Sequence, residues 1–244
     1  MIKNIFAKNP HKVTCVVLCA GEGTRLLKDS PDNFKTAKAM LEIKGLPLIR
    51  YVIDTWKEYA DEFVFVVKFQ KESIIDYINK LTIKAQFVEQ KELRGIAHAL
   101  LMTEQTVTDN FITVLGDCLI KGSFNFPPHL DMGVGVWRTD NPEYIHRSYS
   151  VEIEGDHITK VVEKPKKLVN DLCGMGYYFF NKKVFDYIRK TPPSKLRGEI
   201  EITDTLQLMI DKGEKLYPVN FSGDYLNITY KEDIEKAENI ISES

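Results

Sequence analysis

The chain has no apolar run of about 18 residues, the length a helix needs to cross a bilayer, and Met1 to Lys12 hold no apolar signal segment. Neither a membrane partner nor a secretory leader is expected. Cysteine is scarce: Cys15, Cys19, Cys118 and Cys173 form no C-x-x-C pair and no ligand cluster. That spacing shows no ligand pattern, and it fits structural thiols in a reducing, cytoplasmic setting. Charge of one sign is also missing. A formal charge of −2 leaves no electrostatic footprint for nucleic acid. No internal repeat, low-complexity tract or linker divides the chain. What remains is 244 residues, 43% of them hydrophobic, enough for one large α/β domain with a substantial core.

The first half alternates strand and helix signals, the order of a parallel sheet covered by helices. Apolar runs predict strands over Val13–Leu18, Phe63–Val67, Ala85–Val88 and Phe111–Leu115. Helical spacing covers Pro47–Tyr59, Glu72–Leu81 and Gly95–Thr106. In the second half Met132–Arg138 and the aromatic Gly176–Phe180 read as strands, and Ser148–Ile153 with Ile158–Glu163 as a hairpin around Gly155-Asp156. Val184–Lys190, Thr203–Lys212 and Lys231–Ile241 are helix candidates. A single domain over 1–244 follows, with a nucleotide-binding half at about 12–120 and a substrate half at about 121–244. Ligands in such a sheet bind at the carboxyl ends of the strands. Two motifs fall there, the turn Ala20-Gly21-Glu22-Gly23-Thr24-Arg25 and Gly116-Asp117.

Gly21 and Gly23 let a phosphate approach the backbone, and successive N–H groups in such a turn make an anion cradle. Arg25 adds a guanidinium suited to phosphate, and Lys38 a second cation. Strand, glycine turn, arginine and lysine together point to a bound triphosphate. The third position of a dinucleotide fingerprint is Leu26, and no Gly-Lys-Ser/Thr follows, so neither a dehydrogenase nor a P-loop is indicated. A tight turn with no ligand is the bland alternative.

Leu18-Cys19-Ala20-Gly21-Glu22-Gly23-Thr24-Arg25-Leu26, followed by Ala37-Lys38-Ala39-Met40-Leu41, resembles the signature of the sugar-1-phosphate nucleotidylyltransferases, L-A-G/A-G-x-G-T-R-L then P-K-P/A-M-L. Ala37 replaces the first proline, and the spacing favours Lys38 over Lys35. The resemblance implies a three-layer α/β/α, Rossmann-like mixed sheet of the nucleotide-diphospho-sugar transferase type. Gln90 with Gly95-Ile96-Ala97-His98-Ala99 resembles the family's base-recognition segment. A glutamine amide offers a donor and an acceptor, matching the imide edge of uracil or thymine, so UTP or dTTP is the expected nucleotide. Leu18, Ala20, Gly21, Gly23, Thr24, Gln90 and Gly95 are the nucleotide-binding candidates, and His98 is read as a helix-face residue, or one behind the residues that meet the ligand, rather than a general base.

Gly116-Asp117 resembles the G-D that ends the family's central strand, where the carboxylate holds Mg²⁺. The second metal ligand falls in Gly223-Asp224-Tyr225-Leu226-Asn227, with Asn227 in register and Asp224 a rival. Glu163-Lys164-Pro165 resembles the E-K-P that supplies a glutamate for sugar hydroxyls and a lysine for the sugar phosphate. Gly176 resembles the glycine whose backbone meets the sugar, and Glu201 is a pocket residue or a helix-start residue. Ser150 departs from the family's glycine in Tyr-Gly-Val.

The implied reaction is attack of a sugar 1-phosphate on the α-phosphorus of a nucleoside triphosphate, releasing pyrophosphate. Arg25 and Lys38 are the expected catalytic residues, with Arg25 on the pyrophosphate. Two alternatives stay open: a cytidylyltransferase acting on a non-sugar phosphate such as phosphocholine or a polyol phosphate, and a non-catalytic nucleotide-binding module. No left-handed β-helix repeat is present, and the sequence leaves a homo-oligomer open.

Overall fold

The computed structural model describes residues 5–6, 12–21, 23, 26, 36–195 and 198–242. The central strands are apolar at nearly every position because both of their faces are covered. Strand β1 (Thr14–Leu18) sends Cys15 and Val17 to one side and Val16 to the other. A short hairpin, β2 (Glu42–Ile43) and β3 (Leu46–Pro47), leads into helix α1 (Leu48–Trp56). Then come β4 (Glu62–Val67), α2 (Lys71–Ile78), β5 (Ala85–Glu89), α3 (Ile96–Leu101) and β6 (Asn110–Leu115). These long strands are parallel in the order β5-β4-β1-β6.

The remaining elements extend the same sheet. They are β7 (Cys118–Asn125), β8 (Gly133–Arg138), α4 (Pro142–Arg147), β9 (Tyr149–Glu154), β10 (His157–Glu163), β11 (Leu172–Asn181), α5 (Lys183–Lys190), α6 (Ile202–Asp211), β12 (Tyr217–Asn227) and α7 (Glu232–Ser242). Ten strands form one mixed sheet, in the order β5-β4-β1-β6-β11-β8-β12-β7, with β9 and β10 branching from β11. Helices α1 and α2 pack with Phe63, Phe65, Ile112 and Tyr177 on one face. Helices α3, α5 and α6 pack with Val64, Val66, Phe111 and Tyr178 on the other. This is the three-layer α/β/α architecture expected from the sequence.

Strand β11 creates the opening for a site. Along one edge it pairs with β9 at Cys173 and Gly174, then with β6 from Tyr177 to Asn181. Met175 and Gly176 lie between the two partners, beside the carboxyl end of β6.

Three differences from the sequence reading have local causes. The helix expected over Gly95–Thr106 stops at Leu101, where Thr103 Oγ1 donates to the Leu100 carbonyl and Thr106 Oγ1 to that of Thr103. Such bonds draw the backbone out of the helical pattern. Pro47 belongs to β3, not to the helix that follows it. The strands β7 and β12 escaped detection because Lys121, Gly122 and Ser123 interrupt the first, and Ser222, Gly223 and Asp224 the second. Gly122 and Gly223 face each other in register, where a side chain on either would run into the partner backbone.

Candidate functional site

Two adjoining cavities open at the carboxyl ends of β1 and β6, of about 260 and 340 Å³. They share Gly21, Lys38, Ile96, Leu115 and Asp117 as a common wall. Close packing of the two strand ends builds that wall. Gly116 N–H donates to the Leu18 carbonyl at 3.0 Å, and a Cβ on Gly116 would lie 2.5 Å from Cys19 Sγ. Only glycine fits, so Asp117 is held directly beside the turn that follows β1.

Lys38 opens a 3₁₀ turn between buried Ala37 and Ala39. Its Nζ lies 2.5 Å from Asp117 Oδ2, a short ion pair on the wall between the cavities. Gly23 adopts φ +64° above the Lys38 stem; a Cβ there would sit 3.4 Å from Lys38 Cβ. Gly21 has open space where a side chain would project. Thr24 and Arg25 lie outside the described residues.

The smaller cavity gathers the nucleotide candidates Leu18, Ala20, Gly21, Gln90 and Gly95. Gln90 follows β5 and is 2% exposed; its N–H donates to the Val67 carbonyl at 2.9 Å. Its side-chain Nε2 lies 3.2 Å from His98 Nδ1 on α3. Burial, reinforced by the charge of Arg94, holds the His98 imidazole below its ordinary pKa. Gly95 sits at φ +99° as the N-cap of α3, where a Cβ would meet the Ile200 carbonyl at 2.6 Å. The segment before α6 clasps this turn, with Ile200 N–H on the Arg94 carbonyl and Ala97 N–H on the Ile200 carbonyl.

The larger cavity gathers Gly23, Glu163, Lys164, Gly176, Glu201 and Asn227. Thr203 Oγ1 donates to Glu163 Oε2 at 3.3 Å. Lys164 holds φ +44°, a left-handed conformation unusual for a side-chain-bearing residue, and its N–H donates to the Ser148 carbonyl. Pro165 is fixed in turn, its carbonyl accepting from His146 Nδ1 at 2.6 Å. Gly176 N–H donates to Tyr225 Oη at 3.2 Å; a Cβ on Gly176 would meet Leu115 and Cys118 within 2.9 Å. Tyr178 packs in the core on the α3 side of the sheet and also forms part of the cavity wall, while Tyr177 packs in the core on the opposite side.

Asn227 pairs in register with Cys118, and Ile228 N–H donates to the Asp117 carbonyl at 3.0 Å. Asn227 is therefore brought beside Asp117 and lines the cavity, whereas Asp224 is exposed opposite Lys121, outside both linings. One carboxylate and one amide oxygen form a hard-donor pair that fits Mg²⁺, which takes few protein ligands and completes its shell with water and phosphate. Among the described residues no group of three or more His, Cys, Asp or Glu is placed to hold a metal.

Among the lining residues that the sequence reading did not assign to the site are Leu93 in the smaller cavity and Arg147 in the larger. Arg147 is braced on α4 by buried Asp233 of α7, Nη2 to Oδ2 2.6 Å, with its guanidinium carbon 4.7 Å from the Tyr230 ring centre. The only sequence signal was an arginine shortly before the β9 strand, which is too common to single out.

Comparison with known proteins shows the family. A family model described as Nucleotidyl transferase matches residues 14–243. The chain is 33% identical over 227 residues to the bifunctional protein GlmU of Methanococcus maripaludis, covering 92% of this chain and 53% of that one. It is 31% identical over 237 residues to the UTP–glucose-1-phosphate uridylyltransferase AglF of Haloferax volcanii, covering 93% and 96%. The chain thus spans about half the length of several curated relatives and nearly all of another. A solved UDP-glucose pyrophosphorylase complexed with UDP-glucose superposes with a TM-score of 0.80 at 23% identity, over 95% of this chain and 99% of that one, a likeness of fold.

Proposed function

The chain belongs to the nucleotidyl transferase family, and on that premise we propose that it joins UTP or dTTP to a sugar 1-phosphate, forming a nucleotide sugar and pyrophosphate. The observation that carries this reading is the common wall, where Lys38 and Asp117 separate a base-type cavity from one holding Glu163 and Lys164. Two substrates seated on either side would meet at that pair. The uridylyltransferase among the relatives supports the choice of nucleotide.

An oxygen of the sugar phosphate attacks the α-phosphorus, and the bond to the bridging oxygen of the departing pyrophosphate breaks. The nucleophile comes with the substrate, so the protein contributes alignment and charge stabilisation. Lys38 faces the α-phosphate, Lys164 holds the incoming phosphate, and Glu163 accepts from sugar hydroxyls. Arg25 takes the pyrophosphate by sequence resemblance alone. Asp117 and Asn227 would hold Mg²⁺, which supplies charge neutralisation of the triphosphate. Asp117 must then share its carboxylate between Lys38 and the metal, or exchange one for the other.

Four free, buried cysteines support a reducing, cytoplasmic setting, and no helix among the described residues is long and apolar enough to cross a membrane. The direct test is pyrophosphate release from UTP, dTTP, CTP, ATP and GTP, each paired in Mg²⁺ with a panel of hexose 1-phosphates, a polyol phosphate and phosphocholine. Turnover is expected with UTP or dTTP. Turnover with CTP and a polyol phosphate or phosphocholine instead would overturn the substrate assignment.

A further inference from the structure

Gln90 is almost wholly buried and lines the smaller cavity. Its side-chain Nε2 lies 3.2 Å from His98 Nδ1. His98 stands behind Gln90, outside the cavity lining. We propose that His98 is a positioning residue that fixes which end of the Gln90 amide points at the base, and thereby selects uracil or thymine over cytosine. The inference rests on the nucleotide reading of this cavity.

Donors and acceptors decide the choice of base. A neutral imidazole with its proton on Nε2 accepts through Nδ1. It then consumes the Gln90 NH₂ and leaves Oε1 for the ligand. Uracil and thymine carry an N3–H that donates to such an oxygen. Cytosine presents an unprotonated N3 there, and two acceptors face each other. An imidazolium donates from both nitrogens, so Nδ1–H attracts Oε1 instead. The amide turns over and offers NH₂ to the base, which reverses the preference.

His98 is neutral near pH 7 because burial and Arg94 disfavour its charged form, with Glu92 opposing. Arg94 and Glu92 come from the loop before α3, and Glu199, from the segment before α6, lines the same cavity. Lys38 and Asp117 line this cavity as well, and Lys91 follows Gln90 in the chain.

The test compares kcat/KM for UTP and CTP with one sugar 1-phosphate, from about pH 8 to about pH 5.5, the range over which histidine changes charge. Taking the ratio cancels the titration of both substrates' phosphates and their metal binding. The UTP:CTP ratio should be flat above neutrality and fall at least tenfold as His98 protonates. In His98→Gln, whose amide oxygen still accepts from Gln90, the ratio should stay high and lose its pH dependence. In His98→Leu it should be low at every pH, through KM rather than kcat. An unchanged ratio in His98→Leu, or a pH-dependent fall that persists in His98→Gln, overturns the inference. Equilibrium binding of UTP and CTP gives the same ratio without turnover. If the enzyme binds UTP selectively but releases no pyrophosphate, the transfer reading fails while the His98 inference stands or falls by its own ratio.

Discussion

Lys38 carries the most at the scale of single residues. It is the only lysine lining both cavities among the described residues, and it lies 2.5 Å from Asp117. Lys38→Met should lower kcat by roughly 10²- to 10³-fold, the usual cost of losing one preorganised group aimed at developing charge. Steady-state pyrophosphate release checks this, with thermal melting as the control for folding. Gly95 makes a second prediction. At φ +99°, with the Ile200 carbonyl 2.6 Å from the place of a Cβ, Gly95→Ala should cost about 1–3 kcal/mol of stability from backbone strain, read by urea unfolding. It should also raise KM for the nucleotide, because the strained turn lines the smaller cavity, the proposed seat of the base. These glycines and Lys38 were legible in the sequence because phosphate approach and tight turns demand particular residue types. Arg147 was not, since its place depends on a partner, Asp233, that lies 86 residues away.

At the scale of elements, the pair Arg147–Asp233 ties α4 to the start of α7 beside the larger cavity. Asp233 Oδ2 also accepts the N–H groups of Thr229 and Tyr230, each at 2.9 Å. Burial alone would raise its pKa, but the bonds from Arg147 and those two amides outweigh it and hold the carboxyl below its ordinary value. A depressed carboxyl contributes stability above its unfolded-state pKa of about 4 and loses it as pH falls through the folded value. Stability measured by urea unfolding should therefore drop in wild type below about pH 4 more steeply than in Asp233→Asn. At neutral pH Asp233→Ala should cost about 3 kcal/mol, the lower end for breaking a buried pair, because Arg147 keeps partial access to water. The elements themselves divide by how much of their pattern is local. The strands β1, β4 and β6 announce themselves by continuous apolar runs, and α5 by its apolar spacing. The edge strand β7 and its neighbour β12 do not, because their glycines and polar residues make sense only against each other.

For the whole molecule, the sheet order explains why two cavities meet. Strand β6 lies between β1, which brings the glycine turn, and β11, which brings Gly176, so both halves of the chain end at the same opening. The order of motifs along the chain foretold the participants. Their convergence needed the change of partner along β11 and the register of β12 that sets Asn227 beside Asp117. The central claim is that the α-phosphorus is the one attacked. The measurement is the fate of radiolabel in single-turnover reactions of UTP, labelled either at the α- or the γ-phosphorus, with the sugar 1-phosphate that supports turnover. The account predicts α-label in the nucleotide sugar and γ-label in pyrophosphate. Recovery of γ-label in a phosphorylated sugar or as free phosphate would contradict it, because the chain would then be moving a phosphoryl group rather than a nucleotidyl group.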